Sequence, residues 1–153
     1  MDDIDRQLID LLQQNARLTQ EALGQRINLS RPVVHERLRR LESQGVIRGY
    51  TALVDWEALG FPVTAFIWVR TSNPSCQDAV ERVWKLQSAS ARIEACHRVT
   101  GEWCLLLKVR VPSPRELEAF IDRLRALLEM VATNTVLSLS DLNEGSCKPS
   151  FSG

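Results

Sequence analysis

The apolar residues of this chain change period part-way along, and that change limits the fold more than any other feature. Up to Leu41 they recur at helical spacing; from Val46 onward, stretches that alternate every second residue appear and interleave with further helical stripes. A small all-helical segment followed by a mixed one is therefore expected. The order strand, helix, strand, strand, helix, strand in the second part makes the whole an α+β chain. Residues 1–54 are assigned to the first domain, 55–62 to a linker containing Gly60 and Pro62, 63–142 to the second domain and 143–153 to a polar, flexible tail.

In the first part, Ile4, Leu8, Leu11 and Leu12 form one stripe behind an acidic start, which suits the positive end of a helix dipole. A second helix over 19–26 takes Thr19 as N-cap and buries Ala22, Leu23 and Ile27. Gly24 inside it costs about 1 kcal/mol against alanine, so a close approach by another helix is the reason to expect it there. Asn28 falls where the chain must turn and tolerates the left-handed conformation. Ser30 then opens a third helix as N-cap, Pro32 fits its first turn, and Gly45 closes it. Only Val34, Leu38 and Leu41 line its inner stripe. Pro32, Glu36, Arg39 and Arg40 fall opposite, with Arg31, Val33, His35 and Arg37 on the flanks. Residues 46–54 alternate loosely as a strand or wing.

Two short helices, a tight turn and an arginine-rich second helix make a helix-turn-helix, whose second helix lies in the major groove of DNA. Ser30 and the free N–H groups at the helix start suit a phosphate. Arg39, Arg40 and Arg48 are assigned to phosphates; Arg31, His35 or Glu36 can read base edges, Glu36 by accepting from a cytosine amino group. Bulk charge does not advertise this role, since 19 basic and 19 acidic residues cancel. Locally, residues 31–50 hold five arginines against two glutamates, a net of +3, while residues 1–10 hold four aspartates against one arginine, a net of −3. A solvated arginine-rich helix in an unrelated bundle is the bland alternative.

In the second part, Val63, Ala65, Ile67 and Val69 alternate with Thr64, Phe66, Trp68 and Arg70, so both faces of this strand call for cover. A helix over 75–87 turns Ala79, Val80, Val83 and Trp84 inward. Strands over 92–99 and 103–111 follow, the latter aligning Trp103, Leu105, Leu107, Val109 and Val111. A helix from Ser113-Pro114-Arg115-Glu116 carries the stripe Leu117, Phe120, Ile121, Leu124 and Leu128, and 132–140 is the last strand. This is the ferredoxin-like βαββαβ order, with both helices on one face of the sheet. The face carrying Phe66 and Trp68 would then expose a large apolar patch, so a second subunit is predicted to cover it.

Arg17-Leu18-Thr19, Leu29-Ser30, Arg37-Leu38-Arg39-Arg40-Leu41-Glu42 and Gly45-Val46-Ile47-Arg48-Gly49-Tyr50-Thr51-Ala52 resemble the N-terminal signature of the Lrp/AsnC, or feast/famine, transcriptional regulators. The likeness runs over roughly residues 2–142, with Asn28 where the family usually has glycine. It implies a winged helix-turn-helix, paired β-faces in a dimer, and further assembly of dimers into octamers. Val99-Thr100-Gly101-Glu102-Trp103-Cys104 resembles the family's effector motif, commonly Val-Thr-Gly-Asp-Tyr-Asp, near which small ligands such as amino acids bind. A glycine turn with free N–H groups suits an α-carboxylate, and a carboxylate side chain suits an α-ammonium. Cys104 replaces the last acidic residue with a weakly polar thiol, which leaves three expectations: a weak or absent amino-acid response, a response retained through other groups, or a redox role.

The leading expectation is thus a sequence-specific DNA-binding transcriptional regulator, tuned by an amino acid or other small molecule and binding double-stranded DNA. The alternative is an architectural protein that wraps DNA with little effector response. A third reading is a ligand-binding partner protein whose helix-turn-helix no longer engages DNA. An enzyme is not expected: no paired carboxylates, phosphate-cradling glycine loop or nucleophile with its base is legible. Cys96, His97 and Cys104 lack metal-ligand spacing, so neither metal nor cofactor is assigned. No apolar run approaches the roughly 20 residues of a membrane span, and the acidic start is unlike a signal peptide, so a cytoplasmic location is expected.

Overall fold

The computed structural model describes residues 1–72, 76–127 and 130–140. Its elements are α1 (Asp3–Gln14), α2 (Gln20–Ile27), α3 (Arg31–Ser43), β1 (Val63–Thr71), α4 (Cys76–Trp84), β2 (Arg92–Arg98), β3 (Leu105–Val111), α5 (Pro114–Leu127) and β4 (Met130–Ser138). The chain divides into two compact units, one built on Met1–Leu53 and one beginning at Val54.

Caps define the helical unit. Asp2 accepts the Asp5 N–H at 2.8 Å while Asp5 accepts the Asp2 N–H at 3.0 Å, a reciprocal box that satisfies two orphan donors of α1. Thr19 caps α2 by accepting the Ala22 N–H at 3.1 Å, and Asn28 ends it at φ 56°. A Cβ on Gly24 would lie 2.4 Å from the Leu29 carbonyl oxygen, whereas the nearest α3 atom, Val34 Cγ2, is 3.5 Å away. The close approach that requires this glycine is therefore the backbone of the turn, not a neighbouring helix. Ser30 has N-cap backbone geometry without a side-chain cap bond, and Pro32 sits in the first turn of α3. Gly45, at φ 68°, closes α3: its N–H donates to Glu42 O and the Val46 N–H to Leu41 O, a Schellman arrangement. Leu8, Leu12, Leu23, Val34 and Leu38 form the buried core.

The second unit is a four-stranded antiparallel sheet in the order β2-β3-β1-β4, the ferredoxin-like arrangement. Ala65, Ile67 and Val69 of β1 pair with Val109, Leu107 and Leu105 of β3, and all six are fully buried with Val83, Phe120 and Leu124 from the two helices. The intervening β1 residues face the other way. There Phe66 lies beside Val136 and Trp68 beside Leu106, with Phe66 and Trp68 only partly covered.

Several sequence expectations change. Residues 46–54 form no strand: their unit contributes no β partner among the described residues, and even an isolated two-stranded hairpin is at best marginal in water. Tyr50 instead fastens this segment by donating to Glu42 Oε1 at 2.9 Å. Trp84 is 42% exposed at the end of α4, and Leu86 packs on the core in its place. β3 begins at Leu105, so Trp103 and Cys104 belong to the preceding turn. Residues 55–62, expected as linker, include a turn in which the Phe61 N–H returns to Trp56 O. Those two rings meet edge to face at 6.2 Å, with the Arg110 guanidinium over Trp56 and that of Arg92 over Phe61. The assignments at 75, at Leu128 and over 143–153 lie outside the described residues.

Candidate nucleic-acid interface

The arginines of α3 fall into two groups. Arg37 Nη1 donates to Asp2 Oδ2 at 2.7 Å and to Asp5 Oδ1 at 2.8 Å; Arg40 Nη2 donates to both oxygens of Asp5 at 2.9 and 2.8 Å. Asp5 is wholly buried, so its charge is compensated by two guanidiniums and a backbone amide. The hydrogen bond from Arg37, then that from the Asp5 N–H, holds the Asp2 carboxyl at about 2. For Asp5, burial pushes the carboxyl up, but the Asp2 N–H, Arg37 and Arg40 together outweigh it and leave it lowered. Asp2 and Asp5 in turn raise Arg37. The acidic start of α1 and the basic α3, opposite in charge along the sequence, are thus latched together.

Arg31, Arg39 and Arg48 form the second group. All three are exposed and none has an ion-pair partner among the described residues. Ser30, Pro32 and Glu36 are exposed on the same helix or at its start. His35 is exposed too, with Nδ1 3.1 Å from Gln20 Nε2. In the tautomer that lets the amide donate to Nδ1, the proton sits on Nε2 and that ring edge is a donor. Arg40 is the exception among the predicted contacts, because Asp5 already engages one of its amino groups.

The turn before β3 keeps its predicted members together. Gly101 adopts φ 100°, a conformation that favours glycine. The Val99 N–H donates to Cys104 O at 3.1 Å and the Cys104 N–H to Val69 O at 2.8 Å, which pins both ends. Glu102 pairs with Arg70 Nη1 at 2.5 Å, and the Arg70 guanidinium lies 5.8 Å from the centre of the Trp103 ring. Cys104 is half-buried against the core, its thiol 3.9 Å from Thr71 O. Arg70 contacts this turn, and sequence reasoning missed it. The alternation of β1 put it on the face of Trp68, but nothing in the sequence brought it to a turn 32 residues away. Among the described residues, no three His, Cys, Asp or Glu side chains gather as metal ligands.

A helix-turn-helix with an exposed basic second helix, joined to a ferredoxin-like domain, defines a DNA-binding regulator. Residues 1–48 match the family model for winged helix-turn-helix DNA-binding, and residues 64–146 that for the Lrp/AsnC ligand binding domain. The chain is 37% identical to the HTH-type transcriptional regulator LrpA of Mycobacterium tuberculosis over 90% of its length and 89% of that protein. It is 34% identical to LrpC of Bacillus subtilis, over 95% of this chain and 97% of that one. Among solved structures, a feast or famine regulatory protein of M. tuberculosis complexed with L-methionine superimposes with TM-score 0.85 at 37% identity, covering 92% of this chain and 93% of that one. The chain belongs to the Lrp/AsnC family. It is a DNA-binding transcriptional regulator and not an enzyme. None of its described helices is long and apolar enough to cross a membrane.

Proposed function

We propose that α3 is the recognition helix and that its two sets of arginines divide the work. Arg37 and Arg40 brace α3 against α1, while Arg39 and Arg48 grip phosphates and Arg31, His35 and Glu36 face base edges. Ser30 and Pro32 start the helix where its N–H groups meet a phosphate. His35 offers its Nε2–H to an acceptor such as guanine N7 or O6. The observation that carries this reading is that Arg31, Arg39 and Arg48 have no ion-pair partner among the described residues, while Arg37 and the part-exposed Arg40 point at buried Asp5.

Two copies pair through the sheet face of Phe66 and Trp68, giving two recognition helices for two half-sites, and such dimers assemble further toward an octamer. The half-covered aromatic pair and exposed Val136 support this pairing. The turn Val99, Thr100, Gly101, Glu102, Trp103 and Cys104 takes a small effector of the amino-acid class, the class of L-methionine held by the M. tuberculosis neighbour. A cytoplasmic regulator fits the absence of a membrane-crossing helix among the described residues.

The test is fluorescence-anisotropy binding to the gene's own upstream DNA and to a random duplex of equal length, across a salt series. Specific binding that outlasts random binding as salt rises supports an operator-reading regulator. The double variant Arg31→Ala, Arg39→Ala should then lose affinity for both duplexes and all preference between them. Equal and steeply salt-dependent binding to both duplexes supports the DNA-wrapping alternative, which the loss of an acidic residue at Cys104 favours. No binding to either duplex, with and without L-methionine, overturns the assignment of α3.

A further inference from the structure

We propose that Arg70 occupies the ammonium half of the ligand turn, so that the turn answers to a carboxylate and gains no affinity from an α-ammonium group. The inference rests on the reading of residues 99–104 as an effector site and specifies what that site accepts.

The one negative charge of the turn is already paired. Glu102 carries the only carboxylate among residues 99–104, and Arg70 Nη1 already donates to it at 2.5 Å. The guanidinium is held in that place by the Trp103 ring, 5.8 Å from its centre. Cys104 supplies no replacement charge: it is half-buried against the core, with its thiol directed at Thr71 O. A ligand ammonium therefore meets no free anion in the turn, and it meets the positive charge of Arg70 instead. Around that engaged carboxylate, several donors remain free. Among the described residues the N–H groups of Thr100, Gly101, Glu102 and Trp103 have no acceptor, and Arg70 Nε is buried without one. Consecutive backbone amides around a glycine of positive φ form an anion-binding concavity, and a guanidinium edge is suited to a carboxylate.

The experiment is calorimetric titration of the full-length protein with L-methionine and with its 2-oxo analogue, 4-methylthio-2-oxobutanoate. The two compounds share the carboxylate and side chain and differ at the ammonium. Wild-type protein should bind both with dissociation constants within about threefold of each other. Arg70→Gln frees Glu102 and should turn this into a preference for L-methionine of roughly fivefold, the scale of one exposed ion pair. Arg70→Lys keeps the charge beside Glu102 and should behave as wild type, which separates the effect from a general loosening of the turn. A tenfold preference for L-methionine in wild type, or an Arg70→Gln variant with an unchanged ratio, overturns the proposal. Binding of neither compound by wild type, with L-methionine binding restored in Arg70→Gln, supports it. Binding of neither compound by any of the three proteins overturns the effector reading itself and the proposal with it.

Discussion

The two units are held by different means. Among the described residues, the sheet and its helices bury fourteen apolar ones in one cluster, including Phe120, Ile67, Leu105, Leu107 and Leu124 at zero exposure. The helical unit has five in its cluster and makes up the difference with caps and ions: the Asp2–Asp5 box, the Thr19 cap, and Asp5 between Arg37 and Arg40. A unit that must present a basic helix cannot also bury much of that helix. Its stability comes from polar groups that serve as fasteners on one side of α3 and leave the other side open. The sheet, which presents a turn at its end, can be stabilised by burial without compromise.

Breaking the apolar unit should produce the largest effect. Phe120→Ala removes the largest fully buried side chain among the described residues and leaves a cavity, at a cost of about 3–5 kcal/mol. Hydrogen exchange should show β1 and β3 losing protection while α1 to α3 keep theirs. Equal loss in both units would mean that they unfold together and that the contrast has no thermodynamic content.

Breaking the ionic latch should act on the other unit alone. Asp5→Ala takes away a buried charge, half of the α1 box and the partner of two arginines, for roughly 2–4 kcal/mol. Acid should imitate it. Asp2 and Asp5 both have lowered folded-state values, Asp2 at about 2, so their contribution is complete above the unfolded value of about 4. It is lost as pH falls through the window from about 4 toward 2. Glu94 is also lowered: burial pushes it up, but Arg110 and Lys108 outweigh this, so the sheet loses something in acid too. Burial of fourteen apolar residues should nonetheless carry the sheet further, and circular dichroism against pH should show helical signal falling before strand signal.

Gly24→Ala sharpens the contrast on a smaller scale. Helix propensity alone predicts a gain of about 1 kcal/mol. The new Cβ would lie 2.4 Å from the Leu29 carbonyl oxygen, a backbone atom that the turn into α3 holds in place, so a loss of about 1–3 kcal/mol is expected instead. A variant as stable as the parent would show that the turn yields and does not set the angle of α3.

How much of this was legible in the sequence follows from the range of each interaction. The caps at Thr19 and Gly45, the turn at Asn28 and the buried stripes of α1, α3, β1 and α5 depend on residues a few positions apart, and the sequence displays them directly. The Asp5–Arg40 pair spans 35 residues and the Arg70–Glu102 pair 32, so no local pattern announces either. The same limit explains Trp56 and Phe61. Their spacing marks a turn, but only the register of β3 shows that Arg110 and Arg92 come to lie over them. The strand over 46–54 failed for the opposite reason: local alternation is real there, but a strand also requires a partner.

The smallest effect on stability tests the function most directly. Arg39 is exposed and unpaired, so Arg39→Ala should shift stability by less than about 0.5 kcal/mol. If it grips a phosphate, the plot of log affinity against log salt should lose about one unit of slope, with similar weakening on operator and random DNA. Arg37, on the same helix and paired with Asp2 and Asp5, should do the reverse when changed to alanine: lower stability, with an unchanged slope once the protein is folded. Two arginines separated only by Leu38 would then be assigned to opposite tasks by their partners alone. Should both variants change the slope equally, the latch would be a resting arrangement that DNA displaces, and the division between bracing and gripping side chains would have to be given up.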